Sequence, residues 1–230
     1  MTLKILSGGA ANGLVNACTA DFTTATGHDI SGDYGAVGAM RDRITGGEPV
    51  DLVILTRKII DDLAHAGMVR PDSVTDLGNV VTGVGVREGS EVPDVSTAYG
   101  LRAALAGASS LYVPDTQRAT AGIHVAGVIA RLGLEAEMAD RLRTFPNGQT
   151  AMATMVADAQ DGAIGCTQVT EILNTPGVVY AGDLPEAFAL STVYTAAVAQ
   201  DAEQPEAAST LIRLLSDPGA ADLRRRVGFT

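Results

Sequence analysis

The chain has 230 residues, 46% of them hydrophobic and only 4% aromatic, with 26 glycines and no tryptophan. Its formal charge of −11 disfavours nucleic acid and anionic membrane surfaces as partners, because either needs a basic patch. No apolar run approaches the ~20 residues of a membrane-spanning helix, and the length suits one large domain or two lobes of about 100 residues each.

In chain order, residues 3–7 read as an apolar strand that runs into the small-residue turn Ser7-Gly8-Gly9-Ala10 and then a helix over 11–26 ended by Gly27. Such a turn leaves backbone N–H groups free at a helix start, where they hold an anion; taken alone it equally suits close packing of a helix on a sheet. Gly8, Gly9 and Gly13 fit neither the dinucleotide fingerprint nor a phosphate loop ending in Lys-Ser/Thr, so a small anion is the favoured ligand. A strand at 28–34 and a helix over 37–45 follow. DLVILT at 51–56 is the near-continuous apolar run expected of a strand buried on both faces, and a helix over 57–66 closes at Gly67. This βαβαβα series predicts an α/β fold with a parallel sheet and right-handed crossovers.

NVVTGVGVRE at 79–88 reads as a long strand. A second series follows: helix 97–106, strand 109–113, helix 120–132, an extended piece at 142–145, helix 148–160, strand 162–168, helix 169–174 and strand 177–181. Another long extended run, 189–199, precedes helices at 203–215 and 218–226. The two long strands divide the chain into lobe I, residues 1–80 plus 196–230, and lobe II, residues 81–195. Two lobes joined by two crossing strands place a small ligand in the cleft between them; the alternative is one doubly wound sheet.

Cys18 and Cys166 read as buried free thiols rather than a disulfide. Three histidines and these two cysteines lack metal-ligand spacing, and no cofactor is expected. Ser7 has no nucleophile-elbow context. The opening MTLKILSGGA lacks a basic n-region, a long apolar h-region and a small-residue cleavage site. It predicts a cytoplasmic location, or a periplasmic one if a leader has been removed.

Four segments, LSGGAANGL (6–14), YGAVGAMRDRITGGEPVDLVIL (34–55), VPDTQRATAGIHVAGVIARLGL (113–134) and NGQTAMATMVADAQDGAIGCTQVTEI (147–172), carry a resemblance that spans essentially the whole chain. In order and spacing they resemble the successive motifs of periplasmic molybdate-binding-like solute-binding proteins. The resemblance implies a two-lobed type II periplasmic-binding-protein-like fold. Each lobe is then a mostly parallel sheet flanked by helices, and two hinge strands close the lobes over a small anion. It also implies that hydroxyls from the first two βα turns, N–H groups of the second lobe and a Tyr hold a tetrahedral oxyanion.

At the matching positions Ala10 replaces the first-turn hydroxyl, Ala36 and Val37 occupy the second turn, and Gln168 stands where the Tyr would be. A dehydrated dianion without those donors is poorly satisfied, which weighs against molybdate. The first turn otherwise offers Ser7, Gly8, Gly9 and Asn12. The second lobe offers Gln117, Arg118, Thr120, Ala121 and His124 at one helix start, Asn147, Gln149 and Thr150 at another, and Gln168, Thr170 and Glu171 after a later strand. An Arg fork matches a carboxylate in bidentate geometry and amides orient its remaining oxygens, so a small organic acid fits best.

Each candidate also has a plainer reading. Arg118 suits a solvated surface, His124 a satisfied helix face, and Glu171 a helix start favoured by the dipole. Tyr34 and Tyr194 suit packing as well as a ligand contact. Four functions follow from the same residues. The first is a small-anion binding protein that hands its ligand to a transporter if exported. The second, implied by the family's inclusion of an aconitate isomerase, is an allylic proton shift in an unsaturated di- or tricarboxylate, with His124 or Glu171 as base and Arg118 as clamp. The others are a cytoplasmic ligand sensor and a molybdate- or tungstate-binding transporter component.

Overall fold

A computed structural model describes residues 1–230. In chain order the elements begin with β1 (Thr2–Gly8), α1 (Asn12–Thr26), β2 (Asp29–Gly35), α2 (Val37–Thr45), β3 (Leu52–Thr56) and α3 (Arg57–His65). Next come β4 (Thr75–Arg87), α4 (Ala98–Gly107), β5 (Ser110–Pro114), α5 (Thr120–Arg131), α6 (Glu135–Met138), β6 (Leu142–Phe145), α7 (Gly148–Asp158), β7 (Ala163–Gln168), α8 (Val169–Leu173) and β8 (Val178–Asp183). The chain closes with β9 (Ser191–Val198), α9 (Pro205–Ser216) and α10 (Ala221–Arg226). Internal contacts group Met1–Val80 with Thr192–Thr230 as one unit and Val81–Ser191 as a second.

In the first unit β1 lies between β2 and β3, parallel to both, and β3 pairs antiparallel with β9. All five residues of β3 are buried, as its unbroken apolar run requires of a strand covered on both faces. Helices pack around a core that includes Leu3, Ile5, Leu14, Phe22, Leu211 and Phe229. In the second unit β5 pairs parallel with β6 and β7, while β4 pairs antiparallel with β7 and β8. Leu101, Leu111, Val125 and Leu134 are fully buried or nearly so in its main core. The architecture is α/β with parallel cores, and the long strands β4 and β9 run against them. No helix is long and apolar enough to cross a membrane.

Boundaries differ from the sequence reading where a local cause can be named. The first helix is preceded by a 3-10 turn, Gly9–Ala11, which has no side-chain cap. β4 begins at Thr75 rather than 79. Asn79 exchanges backbone hydrogen bonds with Thr230 at 2.7 and 2.9 Å, which ties this early stretch to the C-terminal end of the chain. α7 stops at Asp158 because Ala159 turns left-handed, with φ 50°, ahead of Gly162. The four-residue α6 is too short to show a period.

Cys18 and Cys166 are both buried and free, one in each unit. Burial pushes the Cys166 thiol up to about 12, and burial with nearby Asp21 raises that of Cys18. Neither thiol is expected to react with a disulfide reagent in native protein at about pH 8, where only thiolate attacks. Both should react in denaturant, and fast labelling of the native chain would show that α1 opens if at Cys18 and that β7 opens if at Cys166.

Candidate functional site

In the first unit the C-terminal ends of β1 and β2 bring the small-residue turns together. A Cβ on Gly8 would lie 2.8 Å from both Tyr194 Cε1 and Val37 Cγ1, so only glycine lets these three positions converge. Ser7 is fully buried and its hydroxyl donates to the Gly8 carbonyl at 2.9 Å, which commits its proton to the backbone. Ala10, Ala36 and Val37 are buried and bring no hydroxyl. Neither the Gly9 turn nor α2, with Ala36 at its N-cap, has a side-chain cap.

Asn12 accepts from Asn16 Nδ2 at 3.0 Å. Tyr194 is buried edge-on to Phe229, with ring centroids 6.3 Å apart. Tyr34 is half-buried over Gly32, and burial pushes its phenol up to about 12, which keeps it a donor at neutral pH.

The second unit has two helix starts of opposite character. Before α5, the Asp115 carboxylate accepts from the N–H groups of Gln117 at 2.8 Å and Arg118 at 3.0 Å, fixing the loop. A Cβ on Gly122 would lie 2.2 Å from the Asp115 carbonyl oxygen, so α5 starts pressed against the end of β5. Ala119 at the N-cap has no side chain able to cap the N–H groups of Thr120 and Ala121. Arg118 is exposed and its guanidinium forms no ion pair.

At α7 the chain caps itself. Asn147 Oδ1 accepts from Thr150 N–H at 2.8 Å, and Glu171 accepts from Gly148 N–H at 3.0 Å. Glu171 also accepts from the Thr167 hydroxyl at 2.6 Å and from the N–H groups of Gln149 and Gln168. Burial pushes its carboxyl above the usual range, and these donors pull it partway back. The donors that the sequence assigns to a ligand at Asn147 and Gln149 therefore include backbone groups already held by the chain's own side chains.

His124 is placed on α5 with Nε2 2.7 Å from the Phe188 carbonyl. A carbonyl only accepts, so Nε2 carries a proton, and in the neutral imidazole the lone pair then lies on Nδ1. Two turns further along the same face, Arg131 donates to the Ala187 carbonyl at 2.8 Å and lies 4.4 Å over the Phe188 ring. The two side chains pin the turn Glu186–Phe188 to α5.

Gln168 ends β7, is 2% exposed, and neither its Oε1 nor its Nε2 has a partner. Thr82, directly opposite on β4, and Thr170, two residues on, each carry a buried hydroxyl without a partner. Buried polar groups left this way call for a ligand, a water or a small rearrangement. Thr82 escaped the sequence reading, although a lone hydroxyl between the valines and glycines of VVTGVGV was the available signal. No group of three or more His, Cys, Asp or Glu could hold a metal ion.

Donor-rich, uncapped helix starts at the carboxyl ends of parallel strands define a small-molecule binding fold, and they occur in both units. The chain belongs to the bacterial extracellular solute-binding protein family, whose pattern matches residues 3–230. It is 27% identical over 228 residues to an aconitate isomerase of Pseudomonas, which covers 96% of this chain and 84% of that one. The periplasmic molybdate-binding protein of Azotobacter vinelandii has the same fold, with a TM-score of 0.79 at 19% identity over 99% of this chain and 98% of its own. The sulfate-binding protein of Mycobacterium tuberculosis gives 0.73 at 17% identity over 100% and 86%. The fold is thus the type II binding-protein fold that the four sequence segments suggest.

Proposed function

We propose that this protein binds a small organic di- or tricarboxylate, with the uncapped α5 start of the second unit holding its charge. The observation that carries the reading is Arg118, an exposed, unpaired guanidinium at an α5 start that lacks a side-chain cap. A guanidinium fork and helix N–H groups are the donors a carboxylate accepts in bidentate fashion. The buried Gln168 amide, with both polar atoms unpartnered, supports an oxygen-rich ligand. Ala10, Ala36 and Val37, which offer no hydroxyl, favour a carboxylate over a tetrahedral metal oxyanion. Lobe closure over the ligand, and transfer to a transporter if the chain is exported, belong to this proposal.

A thermal-shift series tests it. Aconitate, tricarballylate and citrate are expected to raise the melting temperature, since a ligand at about 100 times its Kd adds ~2.7 kcal/mol of stability. Strong stabilisation by molybdate or tungstate, with none by carboxylates, overturns it.

A second reading, allylic isomerisation of an unsaturated tricarboxylate, is favoured by the relationship to the aconitate isomerase over nearly the whole chain. His124 Nδ1 is then the available base, since Glu171 is enclosed by its four donors. Proton NMR in heavy water is expected to show exchange of the allylic methylene and interconversion of the isomers. No exchange over hours leaves binding as the function.

A further inference from the structure

Glu171 is held as a protein would hold a ligand carboxylate, yet it belongs to the chain. Gly148 N–H donates to Oε1 at 3.0 Å and the Thr167 hydroxyl to Oε2 at 2.6 Å. The N–H groups of Gln149 and Gln168 complete the set. A Cβ at position 148 would sit 2.0 Å from Oε2 and 2.0 Å from the Thr167 hydroxyl, so a residue without a side chain is what admits the carboxylate to the α7 start. The first N–H groups of a helix form an anion site; three N–H groups and a hydroxyl all donate to Glu171, which favours its carboxylate form against the burial that opposes it, so the chain's own side chain fills the site. The α5 start, with no capping side chain and with Arg118 beside it, has no such occupant.

We propose that Glu171 is a specificity-determining residue, the resident anion of the second unit, which obliges a ligand to present its charge to α5 and Arg118 and an uncharged part to Gln168. Gln168 is tied through its own N–H to the Glu171 carboxylate, so an anion brought to its side chain meets like charge. The Gln168 amide, able to donate and accept, suits an uncharged polar group such as a hydroxyl or a protonated carboxyl. This inference rests on the carboxylate reading for its ligand, but the filled helix start can be tested separately.

Affinities for tricarballylate, glutarate and monomethyl glutarate are measured by titration calorimetry on the wild type and on Glu171→Gln. The variant should shift the ratio of affinities toward the more highly charged ligand by about tenfold. Uniform weakening with an unchanged ratio gives Glu171 a packing role only and overturns the proposal.

In a second arm, Glu171→Ala vacates the helix start. Formate at about 100 mM should raise its melting temperature or refolding yield more than chloride at equal ionic strength, and should leave the wild type unmoved. Absence of a formate-specific gain also overturns the proposal. If no carboxylate binds the wild type, the functional reading fails and the formate arm alone decides whether Glu171 is a resident anion.

Discussion

Arg118→Ala is expected to weaken binding of a small carboxylate by about 10–100-fold, while the melting temperature of the unliganded protein stays within about 1 °C. A hydrogen bond to a charged group contributes ~1.5–3 kcal/mol, and each 1.4 kcal/mol is a factor of ten in affinity. The fold does not depend on this side chain: it is exposed and forms no ion pair, and the loop is fixed through the Arg118 N–H to Asp115 at 3.0 Å, which alanine preserves. Arg118→Lys should recover part of the loss, since an ammonium keeps the charge but not the fork. Calorimetry with tricarballylate measures the first effect and thermal melting without ligand the second. Unchanged affinity removes Arg118 from the site, and a large drop in unliganded stability would assign it to the fold instead.

The fold was legible because its signals are local. DLVILT reads as a doubly covered strand from its composition alone, and all five residues of β3 are buried. Gly27 and Gly67 mark helix ends because a left-handed residue is needed there, and both have φ of 69°. The site was legible only in part, because the partners that decide its chemistry lie far apart in sequence. Glu171 follows Gly148 by 23 residues, and nothing in NGQT shows that a distant carboxylate will fill that helix start. His124 meets the Phe188 carbonyl across 64 residues, which turns a candidate ligand contact into a clamp with one nitrogen left over. Thr82 gains interest only through its register opposite Gln168. Residue types at a turn identify possible donors, whereas whether a donor is already engaged is settled by tertiary contacts.

Gly122→Ala and Gly127→Ala, two substitutions on one helix, should act in opposite directions. At position 122 a Cβ would lie 2.2 Å from the Asp115 carbonyl oxygen, 2.4 Å from that of Pro114 and 2.6 Å from the Asp115 carbonyl carbon. All three are backbone atoms, so no side chain can swing away; the α5 start or the loop before it must shift. Overpacking of this kind costs ~1–3 kcal/mol or more, against a gain of ~1 kcal/mol from replacing glycine in a helix. A net loss of about 2 kcal/mol corresponds to a melting temperature lower by ~4–8 °C in a chain of this size.

At position 127 the helix is exposed and a Cβ would meet nothing within 4 Å, so the helical gain stands alone and the melting temperature should rise by ~2–4 °C. The shifted loop carries Arg118 and the Thr120 and Ala121 N–H groups with it. Gly122→Ala should therefore weaken carboxylate binding beyond what its stability loss explains, whereas Gly127→Ala leaves affinity unchanged. Equal stabilisation by both alanines would mean that α5 does not press on the end of β5, and the geometry that aims its uncapped start at a ligand would have to be abandoned.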